Sequence, residues 1–182
     1  MLLYIIGGIV IEIIKNSKNI KDEDVTDTIV RVKALVINSK KEVLMGHSYC
    51  EYQFLGGHVE DQEDLKQALK RELLEETGLD YDINSFKPIG VLQKYLSEYP
   101  RVGQNTKLVI YYYEIKDDRI PNISRANYTL EEQDGNFKLR YIPFDILEDV
   151  IKENVFLCGD GQGIALEILE FLDKYKCLPV NP

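Results

Sequence analysis

Residues 57–79 read Gly57-His58-Val59-Glu60-Asp61-Gln62-Glu63-Asp64-Leu65-Lys66-Gln67-Ala68-Leu69-Lys70-Arg71-Glu72-Leu73-Leu74-Glu75-Glu76-Thr77-Gly78-Leu79, and this stretch decides the fold. At about 100° per residue, Leu65, Ala68, Leu69 and Leu73 fall within about 140° of arc, the apolar stripe of a helix that packs on one side. Lys66, Gln67, Lys70 and Glu63 take the opposite side. Glu72 and Glu76 project near the middle of the apolar stripe, with Glu75 on its flank. Carboxylates aimed toward a core repel one another and resist desolvation, so positive charge must sit among them. A divalent cation with oxygen ligands is the simplest candidate, and a merely solvated acidic face fits the pattern poorly. The spacing predicts a helix over about 62–77, with Asp61 as N-cap and Gly78 as the left-handed residue that closes it.

Gly57, Glu63, Arg71, Glu72, Glu75, Glu76 and Gly78, with apolar Leu73 and Leu79, stand at the spacing of the Nudix box, and here the chain resembles the Nudix hydrolase family. Seven fixed residues coincide by chance about once in 10⁸ windows, so the resemblance is specific although the box is short. It implies an α/β fold, a Nudix-type α/β/α sandwich around a central mixed sheet. It also implies hydrolysis of the pyrophosphate bond in a nucleoside diphosphate linked to another group, by attack of water on phosphorus, with Mg²⁺ (or Mn²⁺) as cofactor. Carried over residue by residue, Glu72, Glu75 and Glu76 become metal ligands, joined by the backbone carbonyl of Gly56. Glu72 doubles as the general base in some members. In others the base lies on a loop outside the box, where this chain offers Glu131 and Glu132. Gly57, Glu63, Arg71 and Gly78 support the site, Arg71 by orienting a ligand carboxylate rather than by touching substrate. His58, beside Gly57, reads either as a phosphate or substrate contact or as a surface histidine.

The box fixes chemistry and leaves the substrate open. Tyr95 lies 16 residues past Leu79, where the diadenosine polyphosphate branch often carries tyrosine, and it is a candidate substrate contact on that likeness. The proline expected of the ADP-ribose branch is replaced by Lys94, and no coenzyme A signature is present. The alternative reading is a non-catalytic Nudix-like domain that binds a nucleotide as a sensor or subunit. Such domains usually lose box acids, and this chain keeps them all.

Composition narrows the partners. The chain has 182 residues, 45% of them hydrophobic, enough for a real core, and a net charge of −9. That charge argues against a sequence-independent grip on long nucleic acid, which needs a basic surface, and still allows the small phosphorylated nucleotide that the resemblance implies as substrate, since a metal can offset the repulsion locally. Cys50, Cys158 and Cys177 are odd in number with no close pair in sequence, so no disulfide framework or zinc site is expected and a reduced, cytoplasmic setting is the default. Met1 to Ile14 is an apolar run too short to span a membrane and without a basic leader region. Its β-branched residues favour a buried strand or hairpin; left uncovered, the run would become a contact in a homodimer.

Along the chain, 1–27 reads as an N-terminal apolar extension, 28–178 as the catalytic domain and 179–182 as a tail. Thr28 to Asn38 is a strand with Val30, Val32, Ala34 and Val36 in period two, turning at Asn38-Ser39-Lys40-Lys41 into a second arm over Glu42 to His47. Further strands are expected over 86–96, 107–116 and 137–143, with a long loop over 118–134 between the last two. A second helix is expected over 161–175. Strands flanking two separated helices suggest a sheet between helical layers.

Overall fold

The computed structural model describes residues 4–5, 8–9, 11–160 and 163–178. Its centre is a parallel pair, β4 (Asp27–Ile37) and β8 (Asn105–Lys116), in register over their full length from Asp27↔Thr106 to Ile37↔Lys116. Parallel neighbours of this kind are covered on both faces and carry apolar side chains on each. Here Val32, Ala34 and Val36 point into one core, while Leu35 points into the other.

Outward from this pair, β7 (Lys87–Ser97) runs antiparallel to β8, and β3 (Ile11–Lys15) lies parallel to β7 as the edge strand. On the other side, β5 (Glu42–Ser48) pairs antiparallel with β4, with β6 (Glu51–Phe54) and with β9 (Lys138–Pro143). The result is a seven-stranded mixed sheet. A separate pair of two-residue strands, β1 (Tyr4–Ile5) and β2 (Gly8–Ile9), precedes it. Ile11 is buried, Ile13 is partly buried against the same core and Ile14 is 59% exposed; the side chains of residues 1–10 of the apolar run proposed as a dimer contact lie outside the described residues, as does the tail 179–182.

Helix α1 (Leu65–Thr77) covers one face, where Ala68, Leu69 and Leu73 pack on Val32, Ala34, Val36, Leu44 and Leu55. Leu69 and Leu73 are fully buried, and each contributes about 2 kcal/mol by leaving water. Helices α3 (Leu147–Cys158) and α4 (Ile164–Lys176) cover the opposite face through Leu147, Ile151, Ile168, Phe171 and Leu172. Tyr112 of β8 stacks on Phe171 with ring centroids 4.1 Å apart. The sandwich expected from the sequence is therefore present. Between β8 and β9 the expected loop contains a short helix, α2 (Leu130–Asp134). No helix among the described residues is long and apolar enough to cross a membrane.

Three expectations change. Helix α1 begins at Leu65 rather than near residue 62, because Asp64, not Asp61, is the N-cap: its carboxylate accepts the Lys66 N–H at 2.9 Å. Asp61 and Gln62 form a turn before it, which also places Glu63 ahead of the helix and not on its outer face. Helix α3 was not foreseen, and α4 begins at Ile164. Cys50 and Cys158, 108 residues apart, form a disulfide with Cα atoms 6.1 Å apart, overturning the expectation of unpaired thiols; Cys177 is free and exposed. The bond ties the β5–β6 hairpin to the end of α3. Tyr49 and Cys50 at its tip both have positive φ, the geometry a two-residue hairpin turn requires and that Asn-Gly would announce in a sequence.

Candidate active site

The C-terminal half of α1 faces the chain as it leaves β6 through Gly56 and Gly57. Glu76 is 2% exposed, and its Oε2 accepts the Gly56 N–H at 2.7 Å. Burial pushes the Glu76 carboxyl up to about 8, against the opposing pull of Lys33 and of that hydrogen bond. Glu75 is raised as well, first by burial and then by the neighbouring Glu72. Gly57 lets Glu72 approach: a Cβ there would sit 2.5 Å from Glu72 Oε2. Gly78 closes α1 at φ 68°, donating to Leu74 O at 2.9 Å, with the backbone of Asn122 packed where a side chain would be.

Arg71 organises the near side of this cluster. It grips Glu63 through Nε at 3.0 Å and through a terminal nitrogen at 2.9 Å, donates to Glu72 Oε1 at 2.8 Å and to the His58 carbonyl at 2.9 Å, and lies 3.9 Å from Glu75 Oε2. The guanidinium hydrogen bonds hold Glu63 below the usual carboxylate range. Glu63, two turns from Arg71 in sequence, thus fastens the loop before α1 onto the helix.

These elements line one wall of a cleft of about 240 Å³. Its lining includes Gly56, Gly57, His58, Glu72 and Glu76 from the box, Arg31 and Lys33 from β4, Glu51 and Gln53 from β6, and Glu131 and Glu132 from α2. Lys33 was missed by sequence reasoning: a lysine alternating with Val32 and Ala34 reads as the solvent side of a strand. In the fold that side is the cleft floor, and the Lys33 ammonium donates to the Gly56 carbonyl. Burial pulls the lysine below its ordinary range, with Glu76 opposing. Arg31 Nε donates to His58 Nε2 at 3.3 Å, which requires His58 to be neutral at that nitrogen; burial and then the two cations favour that form.

The segment carrying Glu131 and Glu132 is anchored on α1, since Asn122 N donates to Thr77 O and Asn127 N to Glu75 O, both at 2.8 Å. Glu132 is committed to a capping box: its Oε2 accepts from Thr129 N at 2.7 Å while Thr129 Oγ1 receives the Glu132 N–H. Glu131 has no such bond and faces the cleft. Tyr95 is not brought to the cleft. It lies on β7, two strands from β4 and opposite Lys107, and donates to Asp22 Oδ1 at 2.7 Å.

The NUDIX domain family model matches residues 27–154. The chain belongs to the Nudix family. It is a Nudix pyrophosphohydrolase, an enzyme that cleaves phosphoric anhydrides. No curated protein gives a significant match. Solved structures share the Nudix fold: the E. coli ORF135 protein is 17% identical with a TM-score of 0.54, covering 85% of this chain and 96% of that one. The MutT protein from Methanosarcina mazei Go1 is 16% identical with a TM-score of 0.51, covering 84% and 97%. The MutT protein from Bacillus halodurans is 15% identical with a TM-score of 0.51, covering 66% and 72%.

Nudix hydrolases generally use a divalent metal such as Mg²⁺. Among the described residues, no three His, Cys, Asp or Glu side chains converge as a preformed metal cluster. Three of the four expected ligands are hydrogen-bonded by protein partners, Glu76 by Gly56 N, Glu72 by Arg71 and the Gly56 carbonyl by Lys33, while Glu75 lies 3.9 Å from Arg71. The donors still suit a hard cation, being carboxylate and carbonyl oxygens, and the buried Glu76 is short of positive charge.

Proposed function

We propose that this Nudix enzyme hydrolyses the pyrophosphate bond of a nucleoside diphosphate linked to another group, with Mg²⁺ (or Mn²⁺) held by Glu72, Glu75, Glu76 and the carbonyl of Gly56. The observation that carries the reading is the buried Glu76 carboxyl at the head of a cleft that also holds Arg31 and Lys33. A protein of net charge −9 that places two cations on one cleft floor has made a local site for phosphate oxygens. When bound, the metal supplies Lewis acidity toward the phosphoryl oxygens and lowers the pKa of coordinated water.

The remaining roles belong to the chain. Arg31 and Lys33 orient the substrate's phosphates. Neutral His58 accepts from Arg31 and fixes that guanidinium. Arg71 aims Glu72 and Glu75. Glu131, facing the cleft without a side-chain hydrogen bond among the described residues, takes the proton from the attacking water, and Glu132 holds α2 in place by its cap. Tyr95 takes no part. Small nucleotides are intracellular compounds, which favours a cytoplasmic setting; the Cys50–Cys158 bond pulls the other way, since disulfides persist in oxidising compartments.

The test is product release from nucleoside triphosphates, dinucleoside polyphosphates, ADP-ribose and nucleotide sugars, with and without Mg²⁺, in the wild type, Glu76→Gln and Glu131→Gln. Metal-dependent release lost in Glu76→Gln establishes the site and names the substrate class. Tight nucleotide binding with no release from any of them would make the protein a nucleotide sensor instead.

A further inference from the structure

Lys33 has no carboxylate within ion-pair distance among the described residues, although it lies where burial opposes its charge. Its neighbour on the same face shows what a satisfied lysine looks like: Lys94 Nζ is 3.1 Å from Glu167 Oε1. Lys33 directs its ammonium at a backbone carbonyl, that of Gly56, while Glu76, turned toward Gly56 N, and beyond it Glu72 and Glu167 act on it only through the field. A partly buried cation at a cleft wall, hydrogen-bonded to one neutral oxygen, is under-compensated, and such an arrangement persists only where something else is served.

The Gly56 carbonyl is also the oxygen assigned above to the metal, and the inference rests on that assignment. Two cations cannot share one carbonyl at contact distance without strong repulsion. We propose that Lys33 is a positioning residue that stands in for the metal: its ammonium occupies Gly56 O in the metal-free enzyme, is displaced when the metal binds, and turns into the cleft beside Arg31 to hold substrate phosphate. The side chain has room for this, because Lys33 lines both the main cleft and the smaller recess behind it, which Arg31 and Gln53 also border. Metal binding then creates a phosphate site, and by linkage phosphate binding strengthens the metal. A purely structural Lys33, cross-linking β4 to the box loop, predicts the opposite sign when it is removed: a looser loop and a weaker metal site.

The experiment is Mn²⁺ binding, read by electron paramagnetic resonance of the free ion with no nucleotide present, in the wild type, Lys33→Met, Lys33→Gln and Lys33→Arg. Binding of inorganic pyrophosphate is measured at saturating Mn²⁺ in the same proteins. Lys33→Met is expected to bind Mn²⁺ at least fivefold tighter than the wild type and pyrophosphate at least fivefold weaker. Lys33→Arg, which keeps the charge, should stay near the wild type on both. Lys33→Gln supplies the neutral variant if the methionine does not fold, and thermal melts confirm the fold of each. Mn²⁺ affinity that is unchanged or weaker in the neutral variants overturns the proposal while leaving the metal site intact. No Mn²⁺ binding by any of the four proteins sinks the metal assignment and the proposal together.

Discussion

Arg71 and Lys33 both bring positive charge to the acids of α1, and their surroundings differ in kind. Arg71 directs its donors at Glu63, Glu72 and the His58 carbonyl in fixed directions, so that its charge is matched by protein groups and Glu72 is held through Oε1 alone. Lys33 meets one carbonyl, and Glu76 near it keeps a raised carboxyl with a single backbone hydrogen bond. Charge that is fully matched inside the protein holds shape. Charge left under-matched beside a cleft is what a ligand can complete.

The contrast can be broken in several ways. The largest effect is expected from Glu76→Gln, which keeps an acceptor for Gly56 N–H and removes the charge. Metal-dependent turnover should fall about a thousandfold, while the metal-free protein melts close to the wild type near neutral pH, because burial already keeps the Glu76 carboxyl largely protonated there. Activity above a tenth of wild type would place Glu76 with the structural acids. Arg71→Ala should do the reverse on the stability side, costing about 2–4 kcal/mol in denaturant titration by leaving Glu63, Glu72 and Glu75 facing one another uncompensated. A loss below about 0.5 kcal/mol would show that the Arg71 hydrogen bonds are ornamental. Gly57→Ala leaves every charge in place but pushes the Glu72 carboxylate aside. A roughly tenfold fall in kcat with nearly unchanged stability would separate the position of the charge from its presence.

The smallest effect concerns an exposed matched charge. Glu148 on α3 accepts from Lys152 at 2.5 Å and from Lys176 of α4 at 2.7 Å, which pulls its carboxyl down to about 2. A carboxyl depressed on folding favours the fold above its ordinary range near 4.5 and loses that contribution as the pH falls toward 2. Glu148→Gln should therefore melt slightly lower than the wild type at pH 7, with the gap closing as the pH falls through about 2. A difference that persists at low pH would assign the effect to packing.

Much of the site was legible because α1 carries its chemistry in a local pattern: the apolar stripe, the acids on it and the closing Gly78 all follow from a period of 3.6. The start of that helix was misplaced because Asp61 and Asp64 are equally good caps in sequence, and only the turn at Gln62, with φ 65°, decides between them. Helix α3 was missed because it buries little, chiefly Leu147 and Ile151, and exposes Phe156 and Leu157, so its apolar pattern does not resolve into one face. Lys33, the disulfide and the displacement of Tyr95 depend on strand order. Lys33 becomes a cleft residue only because β6 and the box loop fold across that end of β4, and Cys50 meets Cys158 only because α3 returns beneath the β5–β6 hairpin.

That disulfide has a topological consequence. It closes a covalent ring from residue 50 to residue 158, and both α1 and α2 lie inside it. A protease that cuts the exposed turn at 98–103 severs the peptide between Glu72 and Glu131 without releasing either half of the cleft from the other. The nicked chain runs as one species on a non-reducing gel and as two fragments after reduction.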